Sequence, residues 1–148
     1  MNKPIRIIFI ILLMGISTSL YAQQGLQIAS VFQKYSKHKG VTMVELSNEM
    51  LETYEMTLYK SISFKNAGKA MPLILRCLEI DKKKAKKVKE VILDGEIQSG
   101  YYQLPAIKED INRFILFKTS KKGNATLIYI EGELDADDLV TMLFMKKN

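Results

Sequence analysis

The chain has 148 residues, 26% of them charged and 47% hydrophobic, with a formal net charge of +6 and a single cysteine. Those figures exclude a disulfide-stapled miniprotein, and the length suits one domain that buries a core of its own. The basic balance raises nucleic acid as a partner, and the opening residues argue against it.

The chain begins MNKPIRIIFIILLMGISTSLYAQQG. Lys3 and Arg6 precede an apolar stretch, Ile7 to Ile16, and small polar residues lead on to Ala22. Charge, apolar run and small residues in that order are the layout of a secretory signal peptide. The apolar run falls short of the roughly 20 residues that a membrane-spanning helix needs. Cleavage is expected after Ala22, which divides the chain into a signal peptide, 1–22, and a single domain, 23–148. No cysteine lies near the cut to carry a lipid, and no later segment has the length and apolarity of a membrane span. The expectation is therefore an exported, unanchored, soluble protein, periplasmic or extracellular. Loss of Lys3 and Arg6 takes the charge from +6 to +4 (6 − 2).

Next, LQIASVFQKYSKHKG places Leu26, Ala29, Phe32 and Tyr35 at helical spacing, and Gly40 is a natural stop. VTMVEL is short and β-branched, which predicts a strand. Ser47 then caps a short predicted helix, SNEMLETYEM. LYKSISF is read as a second strand. Within LILRCLE, Cys77 stands among apolar neighbours and is expected to be a buried small hydrophobe.

The run DKKKAKKVKE, Asp81 to Glu90, holds six lysines. With Asp81 as N-cap, a helix from Lys82 to about Leu93, stopped by Gly95, would put Ala85, Val88 and Ile92 on one stripe beside Val91. Lys82, Lys83, Lys84, Lys86, Lys87 and Lys89 would form its solvated outer face, the first three opposed to the helix dipole. These six lysines are the candidate binding residues. An anionic envelope component or an acidic protein suits them as partner; nucleic acid does not suit an exported chain without stacking motifs.

SGYYQLPAI reads as extended, with Pro105 marking an edge or an irregularity. Tyr101 and Tyr102 could form a stacking platform, although a tyrosine pair on a half-buried strand more often packs. NRFILFK and ATLIYIE are strands joined by TSKKGN, a hairpin turn. Phe114 and Leu116 face one way and Ile115 and Phe117 the other; Leu127 and Tyr129 oppose Ile128 and Ile130. Both faces of these strands therefore need cover. DADDLVTMLFMKK closes the chain as a helix with acids in its first turn and lysines in its last. EGELDADD could suggest calcium, but Gly132 precedes the aspartates instead of lying among them, and Asp135 fits as a helix cap.

The order predicts an α+β class, a mixed and largely antiparallel sheet of four to five strands packed by helices, with a C-terminal β-hairpin and then a helix. FQKYSKHKGVTMVELSNEML, INRFILFK and LIYIEGELDADDLVTML together resemble an uncharacterised family of exported domains of unknown function from gut-type Gram-negative bacteria. The resemblance implies export and α+β architecture and contributes no reaction.

Chemistry has few candidates. His38 is the only histidine, and with Cys77 it could make a nucleophile–base pair for a small thiol-dependent hydrolase. No glycine turn for an oxyanion surrounds Cys77, and His38 lies in the hydrophilic tail of the first helix. No metal site and no cofactor is expected, and the common catalytic motifs are absent, which argues against an enzyme. The leading reading is a non-enzymatic binding or scaffolding domain of the cell envelope, with a homo-oligomer compatible with it.

Overall fold

In the computed structural model, residues 25–145 are described. The expected signal peptide and its cleavage site lie outside them, as do Lys146 and Lys147. The elements run α1 (Ala29–Tyr35), β1 (Val41–Ser47), β2 (Met56–Phe64), α2 (Met71–Asp81), β3 (Lys87–Leu93), β4 (Glu96–Lys108), β5 (Ile111–Thr119), β6 (Ala125–Gly132) and α3 (Ala136–Met145). The fold is α+β, as expected. The sheet has six strands in place of four to five, in the order β1-β2-β6-β5-β4-β3. Every pairing in it is antiparallel, so the sheet is not mixed.

Three expectations for single elements need correction. SNEMLETYEM is not one helix; it forms two 3-10 turns, Asn48–Met50 and Glu52–Tyr54, and Ser47 ends β1. Glu55, in the left-handed region at φ 58°, breaks the path before β2. Helix α2 was hidden in the apolar segment around Cys77, where Pro72 near its start fits a first-turn position. The lysine run, expected as a helix, is a 3-10 turn over Lys82–Lys84 followed by β3.

The reason for that last difference lies in alternation and in the next turn. Ala85 is already extended, at ψ 139°. At Lys87, Val88 and Lys89, lysine and valine alternate, which suits a period of two. Asp94 and Gly95 both have positive φ, 53° and 79°, as a tight two-residue hairpin turn of Asp-Gly type requires. The turn commits both flanks to strands.

Register places side chains in rows. On one face Glu45, Lys60, Tyr129, Ile115, Tyr102 and Val88 follow each other across all six strands. On the other, the row is Val44, Ser61, Ile128, Leu116, Tyr101 and Lys89. Helices α1 and α2 cover the first face, where Ile28, Val31, Phe32, Ile74, Cys77 and Leu78 pack on Ile62, Ile115, Phe117 and Leu127. The opposite face is covered in part by Leu51, Leu134 and Leu139, which meet Met56, Phe114, Leu116 and Ile130. The strands apolar on both faces thus have cover on both, each buried aliphatic side chain contributing about 1.5–3 kcal/mol. Pro105 falls within the register break of β4 between Leu104 and Lys108, the irregularity expected of it.

Candidate functional site

Cys77 and His38 are not brought together. Cys77 is buried, and its sulfur lies 3.5 Å from the Ser30 hydroxyl. His38 is exposed beyond the end of α1, its ring against Tyr35 at 4.9 Å. The hollow lined by Gln33, Lys34, Ser36, Lys37 and His38 is shallow and open, with no enclosure for a small molecule. Among the described residues no group of three or more His, Cys, Asp or Glu side chains converges as a metal site would require. Asp135 caps α3, its Oδ1 accepting from the Asp138 N–H at 2.8 Å.

Several buried polar groups are tied to one another, while the Tyr101 hydroxyl and Arg113 Nη2 are buried with no hydrogen-bond partner among the described residues. Tyr102 donates to Glu90 Oε2 at 2.6 Å, and Lys82 bridges Glu90 (3.5 Å) and Glu79 (2.9 Å). Burial first, then the Glu90 hydrogen bond, pushes the Tyr102 phenol far above its ordinary range, so it stays a donor. The Glu79 carboxylate raises the Lys82 ammonium pKa. A second pair mirrors the first: Tyr129 donates to Glu131 Oε2 at 2.6 Å while accepting from Arg113 Nε at 3.0 Å. Burial and then Glu131 raise the Tyr129 phenol likewise. Both phenols act as hydrogen-bond donors, tying β4 to β3 through Glu90 and, through Arg113, β6 to β5. The expected packing role of the tyrosine pair holds for Tyr102, which is buried, and Tyr101 packs in the opposite face against Phe114.

Gly100 makes the first of these ties feasible. A Cβ there would sit 2.7 Å from ring carbons of Tyr102, so only glycine lets that ring lie across β4 and reach Glu90 on β3. Sequence reading missed this, although a glycine directly before two tyrosines in a strand is a signal of close approach.

The six lysines divide. Lys82 is engaged by two carboxylates, and Lys84 Nζ donates to the Gly25 carbonyl at 3.0 Å. Lys83, Lys86, Lys87 and Lys89 are exposed, with no ion pair among the described residues. The first three lysines continue the C-terminal end of α2, where they favour the helix dipole instead of opposing it. Lys87 and Lys89 point to the face away from α1 and α2, in register with Gln103 and Tyr101. Asp81 does not cap this segment. It ends α2 fully buried, and its two carboxylate oxygens accept from the N–H groups of Gln27 (2.7 Å) and Ile28 (2.9 Å) at the start of α1.

The lysines therefore border an open sheet edge. β3 pairs with β4 and, among the described residues, with nothing on its other side. It also exposes Val88, Val91, Ile92 and Leu93.

A family model described as a family of unknown function, DUF6108, matches residues 15–143. The chain belongs to the DUF6108 family. The expected kinship with an uncharacterised family stands to that extent, and the match brings no reaction to this DUF6108 chain. No curated protein matches it. It is similar in part to a crystal structure of a protein of unknown function from Pseudomonas aeruginosa, at 11% identity over 73% of this chain and 81% of that one, with a TM-score of 0.36. Among the described residues of this DUF6108 chain no helix is long and apolar enough to cross a membrane.

Proposed function

We propose that this DUF6108 chain is an exported, non-enzymatic binding domain of the bacterial cell envelope, in a Gram-negative host. It acts once a signal peptide, residues 1–22, has been removed from a single domain, 23–148. Lys3, Arg6, the apolar Ile7 to Ile16 and the small residues before Ala22 support export. The contact surface is the basic edge around β3, and its partner is anionic. The observation that carries this reading is that Lys83, Lys86, Lys87 and Lys89 stand exposed together beside an open strand while the neighbouring Lys82 is neutralised within the fold. Such a cluster attracts anions over about 10 Å at 0.1 M salt.

Retention of the mature protein on heparin at low salt tests it. The wild type is expected to bind and to elute as salt rises. A variant with Lys83, Lys86, Lys87 and Lys89 all changed to Glu is expected to flow through, whereas Lys121→Glu with Lys122→Glu, in the β5–β6 turn, retains binding. Equal retention of the two variants would remove the β3 edge from the reading.

A further inference from the structure

The two free edges of the sheet are unlike. β1 carries Glu45 and no lysine, and its apolar exposure is confined to Met43 and Val44, at 37% and 38%. β3 is exposed along nearly its whole length, with Val91 at 60%, Ile92 at 59% and Leu93 at 53%. Lysine alone on an edge strand is a common guard against unwanted pairing. A guard does not explain three consecutive aliphatic side chains left in water beside it. Lysine and aliphatic residues on one open strand are instead the complement of a strand in which acidic and apolar residues alternate.

β3 is also held extended with a neighbour on one side alone among the described residues. Glu90, the one acid within it, is turned inward to Tyr102 and Lys82, and through Lys82 to Glu79 on α2. The edge is thus pre-ordered, which removes part of the entropy cost of pairing. We infer that the β3 edge takes up an extended acidic and apolar polypeptide segment of a partner protein as a seventh strand of the sheet. Backbone hydrogen bonds supply the pairing, carboxylates opposite Lys87 and Lys89 select the partner, and apolar side chains on the other face cover Val88 and Ile92. A second copy of this chain fits less well, because it would bring both sets of lysines to one seam. An anionic lipid surface meets the lysines but offers no strand for the ladder.

This rests on the reading of β3 as the binding edge, and one experiment separates the two. A fluorescent peptide of alternating glutamate and valine, matched in length to β3, is titrated against the mature protein, with anisotropy and amide hydrogen exchange as readouts. A twin peptide N-methylated at every second residue keeps its charge but loses the ladder on one edge. Vesicles of phosphatidylglycerol form the third arm. Binding of the plain peptide, new protection at the β3 amides and affinity weakened by about tenfold or more in one of the two N-methylation frames are expected. Equal binding of the plain peptide and both N-methylated frames, or vesicle binding without peptide binding, overturns strand addition and leaves the basic edge standing. Self-association that protects β3 also overturns it, in favour of a second copy. Failure of both peptide and vesicles removes strand addition and the basic edge together.

Discussion

Asp81 joins two helices with one side chain. Its carboxylate receives the N–H groups that open α1 from 53 and 54 residues away in sequence. Burial outweighs those bonds and raises its pKa above the ordinary carboxylate value. A raised folded pKa means that the contribution is full below the unfolded value and is lost as pH rises through the folded one. Asp81→Ala leaves both N–H groups without acceptors and is expected to cost about 2–4 kcal/mol by urea denaturation. Asp81→Asn cannot titrate, so the stability gap between it and the wild type should narrow as pH rises from acid toward neutral. A gap that widens would show that the hydrogen bonds outweigh burial. Gly100 is the second such residue. Gly100→Ala must displace the buried Tyr102 ring and its bond to Glu90, an expected loss of about 2–4 kcal/mol. Tyr102→Phe, which removes only the hydroxyl, should cost less than Gly100→Ala.

Among the elements, those with a pattern of their own were legible in the sequence. β1, β2, β5 and β6 showed in their β-branched and aromatic runs, and α3 showed in the acids of its first turn. The two-sided burial of β5 and β6 followed from Phe114, Ile115, Leu116 and Phe117 in succession. The lysine run misled because Ala85, Val88 and Ile92 satisfy a helical stripe as well as Lys87, Val88 and Lys89 satisfy alternation. The Asp94–Gly95 turn decides between them, and it had been read as a helix stop. α2 was missed because its apolar residues between Leu73 and Leu78, broken only by Arg76, read as a short continuous run that does not distinguish a helix from a strand. Five of the six candidate lysines are exposed, all but Lys82, but their setting on a sheet edge was not foreseeable from a helix reading. Lys84 is held by the Gly25 carbonyl, 59 residues away, which nothing local announces, whereas Glu79, three residues before Lys82, is a local signal of that lysine's partner.

At the scale of the whole molecule, the sheet separates a layer of α1 and α2 from a thinner cover of turns and α3. Cys77 lies within the first layer, 3% exposed. Its thiol is therefore expected to react with a maleimide probe only when that layer opens, and labelling should accelerate steeply as denaturant approaches the unfolding midpoint. Fast labelling under native conditions would return the cysteine to consideration as a reactive group.

The strand order has a consequence in time. β3 to β6 follow one another along the chain, their first two connections tight, so that part of the sheet can assemble by local closure. β2 must instead find β6, with Ser63 opposite Thr126 and Tyr59 opposite Ile130. Long-range pairing of that kind is slow, because the entropy of the intervening chain is lost before the contacts form. During synthesis from the N-terminus, β2 emerges with its partner on one side present and its partner on the other still unmade. Lys60, Ser61 and Ser63 are polar residues in a strand that ends up inside the sheet, between β1 and β6. Their polarity is expected to keep the nascent β2 edge from pairing with other chains until the last strand arrives.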